Sequence, residues 1–426
     1  MKVSRFAIRA MGVCATAAML AGCGNARSLV GAPSAPFASA PNARGASAQE
    51  RVLYSFTGGS DGGNAATGLV LDRQGNLYGT TVVGGAATCG TVFKLAPAAS
   101  PPWTESVLFS FDCFGTGKNP HGGVVFDRRG NLIGTTVAGG SGGSCVGDGC
   151  GTVFAITSKG ETVLHSFTGA NDGFGPGSAL IVDNKSGDLF GTAPDGGADA
   201  DGVVFEIAHG GGPHEKTLHA FTGGKDGGTG SLGSLLRDKA GNLYGVTETG
   251  GAHSAGTVYR LTQTSPKRWR LTVLYTFKGA PDAGSPYGGL IADKSGNLYG
   301  TTYFGGASGV GAVYELHRGA KGNYRERVLY SFKGGNDGSY PTSTLALGTS
   351  GNLYGTSSMG GGSCDCGTIF SVNAGSGSEQ VLHAFGTGSD GQNPYYGLAQ
   401  DKSGNFYGTT VVGGNFGQGA VFEFTP

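Results

Sequence analysis

Short apolar runs, separated by glycine-rich polar loops, recur from residue 52 to residue 426. The most regular run has an aromatic residue at its centre, Val or Ile before it and an apolar residue two places after it. The place between is occupied by Lys, Arg, Glu, Ser or Ala. The seven copies are TVFKL, TVFAI, VVFEI, TVYRL, AVYEL, TIFSV and AVFEF. This pattern predicts a β-strand that is covered on both faces and keeps one partly solvated position.

A second motif, GNLYGTT at residues 296–302, has near-copies throughout the same region. The seven copies begin at Gly75, Gly130, Gly187, Gly241, Gly296, Gly351 and Gly404. The steps between them are 55, 57, 54, 55, 55 and 53 residues, and a fixed period of this size indicates a repeat architecture. Each unit contains four strand-like runs without helical periodicity. Seven units therefore predict an all-β fold, a seven-bladed β-propeller with four antiparallel strands per blade, over residues 51–426.

The two ends of the repeated region predict how the ring closes. The repeats begin with a lone fourth-type strand, Val52–Phe56, and end with a third-type strand, Ala420–Phe424. The last blade therefore lacks its outer strand, and we expect the N-terminal strand to supply it and remove an open sheet edge. A β-solenoid is the alternative. It needs polar end caps, and neither end of the array has one.

The composition agrees with many tight turns and limits the possible partners. Glycine accounts for 86 of 426 residues, as short strands joined by tight turns require. Lys plus Arg and Asp plus Glu each number 29, and no basic block is present, which argues against nucleic acid as a partner. Nothing after residue 25 approaches the ~18 apolar residues of a membrane span. We expect a monomer.

The first 23 residues have the features of an export signal. Lys2, Arg5 and Arg9 precede a short apolar run of small residues, which is typical of a secretory signal peptide. The run ends in Leu-Ala-Gly-Cys, which resembles the bacterial lipobox and predicts lipidation of Cys23. An ordinary signal peptide with a chance cysteine is the alternative, and the protein would then be periplasmic or secreted.

The segment after Cys23 predicts where the protein resides. Gly24 stands where an Asp would indicate retention at the inner membrane, so we expect an outer-membrane or cell-surface lipoprotein whose lipid anchor is its only membrane contact. Residues 24–50 are rich in Ala, Ser, Pro, Gly and Asn, and their low apolar content predicts a flexible tether.

The order of motifs within one unit resembles known repeat families. The segment GL-x-x-D-x-x-GNLY resembles the start of NHL-type propeller repeats. The longer unit, with GNLYGTT, Gly-Gly, GTVF-x-L and VLYSF-x-GG-x-DG, resembles the GloVer tandem repeats of bacterial exported proteins over residues 52–426. The resemblance implies an extracytoplasmic, envelope-anchored protein and no established activity.

Aspartates recur in two kinds of loop. Those three residues before the motif glycine, or four in the third unit, can accept backbone N–H groups and set a turn; they are Asp72, Asp127, Asp183, Asp238, Asp293 and Asp401. Those in Gly-x-Asp-Gly-like loops follow the outer strands; they are Asp61, Asp172, Asp226, Asp337, Asp390 and, as a looser match, Asp282. We expect both sets to make turns. The second set is the alternative candidate for a Ca²⁺ site, although each loop offers only one carboxylate.

Aromatic residues and one histidine mark a candidate ligand surface. His165, His219 and His383 replace an outer-strand tyrosine, so we expect framework roles for them. Other rings fall in the loops that enter the inner strands or just follow the second strand. Rings on a glycine-rich face suit sugars or peptides, and the alternative is that they only pack around the channel mouth. The candidates are His121, Phe174, Tyr287, Tyr303, Phe304, Tyr340, Tyr395 and Tyr396.

Six cysteines follow Cys23 and are typical of an oxidising compartment. Cys89 precedes the third strand of the first blade and Cys113 follows its fourth, so antiparallel pairing predicts a disulfide between them. Cys145 and Cys150 flank one loop and are expected to pair. For Cys364 and Cys366, a small ring and two free thiols both remain open.

The sequence contains no HExxH or P-loop motif, and its GGS runs, which include the GxSxG spacing at residues 58–62 and 139–143, are loop composition rather than a nucleophile elbow, which needs a strand–turn–helix. The first hypothesis for function is a binding or scaffolding module for a glycan, peptide or envelope protein. The second is a glycan-active or other hydrolytic enzyme that uses the loop face, and the third is a structural component of the envelope. Near-identity of the seven loops counts against the enzyme, and we expect no cofactor apart from the Ca²⁺ alternative.

Overall fold

The computed structural model describes residues 49–426 except 143–144, 146–147, 209–213, 231–232, 267, 349–350 and 387. The predicted signal peptide, with Cys23, and residues 24–48 of the predicted tether lie outside the described residues. Within the described part of the chain, no helix is long and apolar enough to cross a membrane.

The described residues form 33 strands, numbered in order, and all named pairings are antiparallel. The first strand and the strands of the first three blades are β1 (Gln49–Ser55); β2 (Val70–Leu71), β3 (Leu77–Thr81), β4 (Thr91–Ala96) and β5 (Thr104–Ser110) in blade 1; β6 (Val124–Phe126), β7 (Leu132–Thr136), β8 (Thr152–Thr157) and β9 (Gly160–Ser166) in blade 2; β10 (Ile181–Val182), β11 (Leu189–Ala193), β12 (Val203–Ala208) and β13 (His214–Ala220) in blade 3.

The innermost strand is split into two short pieces in blades 4 to 7, and the second strand of blade 7 is also interrupted, after Thr410. Blade 4 contains β14 (Gly228–Gly230), β15 (Leu236–Arg237), β16 (Leu243–Thr249) and β17 (Thr257–Ser265) with β18 (Arg268–Thr276). Blade 5 contains β19 (Ala283–Pro286), β20 (Ile291–Ala292), β21 (Leu298–Gly305), β22 (Ala312–Arg318) and β23 (Tyr324–Ser331). A 3-10 turn, Gly335–Asp337, leads to blade 6, which contains β24 (Ser339–Pro341), β25 (Ala346–Leu347), β26 (Asn352–Met359), β27 (Thr368–Asn373) and β28 (Glu379–Ala384). Blade 7 contains β29 (Gly391–Gln392), β30 (Ala399–Gln400), β31 (Phe406–Thr410), β32 (Val412–Gly413) and β33 (Ala420–Thr425).

Ring closure follows the predicted route. Strand β1 pairs antiparallel with β33 and completes the sheet β30-β31-β33-β1. The strand begins at Gln49, earlier than the predicted domain start at residue 51, and Glu50 lies opposite Phe424. The seven four-stranded blades confirm the predicted seven-bladed β-propeller.

The innermost strands are much shorter than the runs of about five residues that the sequence predicts. Most have two or three residues because glycine or proline interrupts the segment that enters each blade. The backbones of neighbouring blades also approach closely there. A Cβ added at Gly288 of blade 5 would lie 2.4 Å from the carbonyl oxygen of Ser343 in blade 6.

The core is assembled between blades rather than within them. The phenylalanine that follows each outer strand packs edge-to-face on the central aromatic of the third strand in the next blade. Ring centroids in these seven pairs lie 4.9–5.2 Å apart. The pairs are Phe56–Phe93, Phe111–Phe154, Phe167–Phe205, Phe221–Tyr259, Phe277–Tyr314, Phe332–Phe370 and Phe385–Phe422. Each blade therefore depends on its neighbours for burial.

The GNLYGTT motif is explained by local contacts, which blade 1 illustrates. Asp72 accepts backbone N–H groups from Gln74 and Asn76, and its second oxygen accepts from the Asn76 amide and the Tyr78 hydroxyl. Burial raises the pKa of Asp72, but these hydrogen bonds outweigh it, so the pKa lies below its usual value. The aspartate is thus a turn-maker, as predicted. Gly79 faces the ring of Phe93, where an added Cβ would lie 2.8 Å from Cζ.

The first threonine of the motif connects neighbouring blades. Thr80 donates to the carbonyl oxygen of Pro120 in blade 2 at 2.9 Å, and Thr409 of blade 7 donates to Thr67 of blade 1 at 2.8 Å. The equivalent residue of blade 4 is Val246, which has no hydroxyl group to donate.

Disulfides join Cys89 to Cys113 and Cys145 to Cys150, as predicted, with Cα atoms 5.3 and 5.5 Å apart. Cys364 and Cys366, for which the sequence left two possibilities, also form a disulfide.

Candidate functional site

Seven of the eight predicted ligand residues lie on one connected set of rings at the channel face. Tyr303 stacks on Tyr340 with ring centroids 4.8 Å apart, and the exposed ring of Phe304 packs edge-on against both. The ring centroid of Tyr287 lies 5.9 Å from that of Tyr303 and 5.7 Å from that of Tyr395. Tyr395 packs against Tyr396, and Tyr396 in turn contacts His121. We call Tyr287, Tyr303, Phe304, Tyr340, Tyr395, Tyr396 and His121 the aromatic cluster.

Hydrogen bonds across the channel connect distant parts of the chain. The hydroxyl of Tyr395 donates to that of Tyr287 at 3.2 Å, and the hydroxyl of Tyr396 lies 3.4 Å from Nδ1 of His121. Burial lowers the pKa of His121 to about 4, so the imidazole is neutral at neutral pH. Burial also raises the pKa of Tyr395 to about 12 and keeps its phenol protonated. The inner part of the cluster is therefore uncharged.

Phe174 does not join the aromatic cluster. Its backbone N–H donates to the carbonyl oxygen of Asp195 at 2.8 Å, and its ring packs against the core shared by blades 2 and 3. The structure gives Phe174 a framework position, so it is a poor ligand candidate.

A small cavity lies on the propeller axis beneath the cluster. Its volume is about 160 Å³, and Tyr287, Tyr395 and Tyr396 line it together with glycines and threonines of the entry segments. Every blade contributes at least one lining residue, which places the cavity in the central channel. Pockets that enclose drug-sized ligands are usually larger, ≈ 300–1,000 Å³. The cavity therefore suits an end group rather than a whole ligand.

Glu248 is a member of this face that the sequence analysis missed. It directly follows the GNLYGVT segment of blade 4 and is equivalent to Tyr303 of blade 5. Burial raises the pKa of Glu248, and the negative charge of Asp195 raises it further. The charge of Glu248 in turn contributes to the raised pKa values of Tyr287, Tyr303 and Tyr395, so its electric field reaches all three phenols.

The position of Glu248 differs strongly between blades. Equivalent residues follow the second motif threonine or its replacement in each unit. In chain order they are Val82, Val137, Pro194, Glu248, Tyr303, Ser358 and Val411. Four blades are therefore apolar at this position, and the polar and aromatic members are consecutive on blades 4 to 6.

Tyr340 has a backbone conformation that is unusual for its side chain. Its φ is 53°, in the left-handed region. At the equivalent positions Asn64, Asn119 and Asn393 also have positive φ, and asparagine tolerates this region far better than tyrosine does. A bulky residue in such a conformation is a reason to suspect function.

The second set of aspartates makes turns, as predicted, and each also holds an outer-strand side chain. The Tyr54 hydroxyl donates to Asp61 at 3.0 Å, and Nε2 of His219 lies 3.0 Å from Asp226. Asp282, the looser match, accepts from the Tyr275 hydroxyl at 3.0 Å. The equivalent contacts are His165–Asp172, Tyr330–Asp337 and His383–Asp390. These contacts give the three outer-strand histidines the predicted framework roles.

A glutamate from the next blade approaches most of these aspartate loops. It stands four residues before the outer-strand Tyr, Phe or His in six units: Glu50, Glu105, Glu161, Glu215, Glu326 and Glu379. Burial raises the pKa of each glutamate, and an aspartate of the preceding blade raises it further, to about 7 for Glu105 and about 8 for Glu326. We call these six combinations of a glutamate and an aspartate the rim carboxyl pairs. Blade 4 has Leu271 at the same position.

The pair between blades 6 and 7 includes a histidine. Ligand atoms of Glu50, His383 and Asp390 lie within 4.8 Å of one another. The His383–Asp390 contact recurs as Tyr–Asp in other blades, so ring closure and turn formation explain it without a metal ion.

These features define a closed seven-bladed β-propeller whose channel face carries one asymmetric aromatic cluster. The chain belongs to the Gloeobacter/Verrucomicrobia repeat family, whose model matches residues 103–280 and 233–426, more than half of the sequence. This confirms the predicted resemblance to the GloVer repeats. No curated protein matches the chain.

Solved structures share the fold at low sequence identity. The extracellular domain of a protein assigned to the hybrid two-component systems of B. thetaiotaomicron is 11% identical, with a TM-score of 0.50 over 88% of this chain. This chain spans 41% of that one. A fungal alcohol oxidase of the AA5 family, in complex with copper, is 13% identical with a TM-score of 0.54, covering 88% of this chain and 75% of its own. At this identity the likeness concerns the fold alone.

Proposed function

We propose that this protein is an exported binding module whose aromatic cluster at the channel face takes a small ligand or the end of a larger one. The observation that carries the proposal is the concentration of rings on blades 5 to 7, where Phe304 is 48% exposed and Tyr303 stacks on Tyr340. Rigid rings give contact area at low entropy cost, and tyrosine hydroxyls add hydrogen-bond donors. Glycans and peptides are the ligand classes that suit such a surface.

A thermal-shift screen tests the proposal. The intact chain is heated with oligosaccharides, peptidoglycan fragments and short peptides. A ligand present at about 100 times its dissociation constant stabilises the protein by roughly 2.7 kcal/mol, which gives a readable rise in Tm. The proposal predicts such a rise for at least one glycan or peptide, and the absence of any shift would favour a structural role in the envelope.

Paired substitutions separate the cluster from other exposed rings. Tyr303→Ala with Phe304→Ala should abolish the ligand-induced shift. Phe416→Ala is the matched control, because Phe416 is 59% exposed on blade 7 and makes no ring contact with the cluster among the described residues. Equal loss of binding in both variants would contradict the proposal.

One observation favours the hydrolytic alternative. Burial and the negative charge of Asp195 raise the pKa of Glu248, and a pair of carboxyl groups is the machinery of many glycosidases. If the protein is an enzyme, any glycan that stabilises it should be cleaved, and Glu248→Gln should stop the cleavage. If mass spectrometry shows that the glycan is unchanged after prolonged incubation, the enzymatic role is excluded for that glycan and only the binding role remains.

We also propose that the protein is exported and anchored through a lipid on Cys23. Three disulfides are consistent with an oxidising compartment. The family match also agrees with the resemblance to the repeats of bacterial exported proteins. Cys23→Ser should move the protein from the membrane fraction to the soluble fraction of cells. Unchanged fractionation would indicate an ordinary signal peptide or another anchor.

A further inference from the structure

We propose that the channel mouth recognises an ammonium group, which the rings of Tyr287, Tyr303 and Tyr395 surround and the carboxylate of Glu248 neutralises. The inference rests on the proposed binding role of the aromatic cluster and names its ligand class. A primary amine on a sugar and a quaternary ammonium compound share this chemistry.

The arrangement of the rings is the first argument. Tyr287 is perpendicular to Tyr395, with an interplanar angle of 89°, and tilted by 42° from Tyr303. Non-parallel rings present both faces and edges toward the space that they border. The negative faces of such rings attract a cation within ≈ 6 Å of the ring centroid. A flat, parallel stack would suit a sugar face better.

The charge distribution is the second argument. Among the residues that the structure describes, no lysine, arginine or histidine forms an ion pair with Glu248, and the one charge that perturbs it noticeably is that of Asp195, which is also negative. His121, the basic member of the cluster, is neutral at neutral pH because it is buried. A desolvated carboxylate without a counter-ion is unfavourable, and a bound cation would compensate it.

The size of the cavity is the third argument. At about 160 Å³ it has room for a compact end group and not for a complete sugar chain or peptide. Tyr287 and Tyr395 line the cavity, and the negative charge of Glu248, which raises the pKa of both phenols, disfavours an anionic end group there. An ammonium group at the end of a larger ligand meets both the size and the charge requirement.

Calorimetric titration of the intact chain tests the inference. The probes are tetramethylammonium chloride, glucosamine and glucose, in phosphate buffer at constant ionic strength, because Tris is itself an amine. We expect glucosamine or tetramethylammonium to bind at least about tenfold more tightly than glucose, the size of one cation–π and charge contact. Binding of tetramethylammonium indicates a quaternary ligand, and binding of glucosamine alone indicates an amino sugar; either result supports the inference.

Two variants make the inference falsifiable. Glu248→Gln keeps the shape of the side chain and should reduce ammonium affinity at least about fivefold. Glu206→Gln, on the outer part of blade 3, is the matched control and should bind like the wild type. If Glu248→Gln does not fold, Tyr303→Leu replaces it, because that change removes a ring face and leaves the carboxylate.

The outcomes distinguish this inference from the broader proposal. If glucose binds as tightly as glucosamine, or if Glu248→Gln binds all ligands like the wild type, the ammonium inference is overturned and the binding module stands. If no probe binds and the glycan and peptide screen also shows no shift, the proposed function fails and the inference fails with it.

Discussion

The rim and the channel face are built from the same seven repeats, yet the rim keeps its chemistry from blade to blade and the channel face does not. At the rim, six blades place a glutamate beside an aspartate loop of the preceding blade, and only Leu271 departs from the pattern. At the channel face, the position of Tyr303 is Val, Pro, Glu, Tyr or Ser in different blades. Closure of the ring demands seven similar interfaces, whereas a ligand needs one site, so departures from the repeat are the informative residues.

The largest expected effect comes from the interface between blades. Phe93→Ala removes a fully buried ring that packs on Phe56, and it should lower the free energy of unfolding by about 3–5 kcal/mol. Phe304→Ala removes a half-exposed ring of the channel face and should change stability by about 0.5 kcal/mol or less. Denaturant unfolding monitored by fluorescence measures both. Comparable losses would mean that the aromatic cluster is part of the core rather than a surface.

The disulfide between Cys89 and Cys113 is expected to matter next. It closes 24 residues and joins two loops of the channel face, on blades that do not carry the ring stack. Replacing both cysteines by Ser should reduce stability by about 3 kcal/mol. Ligand binding by the aromatic cluster should be unchanged, as measured by the calorimetric titration. Loss of binding together with a native Tm would show that blades 1 and 2 shape the site.

The sequence predicted the repeated framework well because the pattern of apolar and polar residues in each strand indicates which side chains are buried. The central aromatic of the third run, for example Phe93, is buried in all seven copies. Antiparallel pairing of adjacent strands was enough to place Cys89 beside Cys113. The inner strands were predicted too long, because Pro and Gly in the entry segments interrupt the pairing next to the channel.

The site was predicted less completely because its contacts join residues that are far apart in sequence. Tyr395 meets Tyr287 across 108 residues, and Tyr396 meets His121 across 275. The spacing of residues within one repeat unit does not predict contacts between residues of different units. An alignment of the seven repeat units could have identified Glu248, because no other unit has a charged residue at the equivalent position.

The rim carboxyl pairs predict a pH dependence of stability. The pKa of Glu105 is raised to about 7 from an unfolded value near 4.5 by burial and the charge of Asp61. A raised folded-state pKa means that the folded protein binds the proton more tightly. The stabilisation is complete below about pH 4.5 and is lost as the pH rises through about 7. We expect the Tm to fall between about pH 4.5 and pH 8 and to level off above that range, with on the order of 1 kcal/mol or less from each partly solvated pair.

Variants at two interfaces check the origin of that dependence. Glu105→Gln should flatten the pH profile, because the neutral amide does not lose a proton. Leu271→Glu installs the missing carboxyl group at blade 4, opposite the loop of Asp226, and should steepen the profile. An unchanged slope in both variants would assign the pH dependence to other groups.

The smallest expected effect tests the strained backbone at Tyr340, and its sign is informative. Tyr340→Asn places at φ 53° the residue that Asn64, Asn119 and Asn393 supply in other blades, so it relieves strain of about 1 kcal/mol while it removes the ring stacked on Tyr303. Tyr303→Ala loses the same ring pair without that relief. We therefore expect Tyr340→Asn to be at least as stable as the wild type and Tyr303→Ala to be less stable, while both bind ligand more weakly. If Tyr340→Asn destabilises the protein as much as Tyr303→Ala does, the tyrosine is a packing residue, and its unusual conformation is no longer an argument for function.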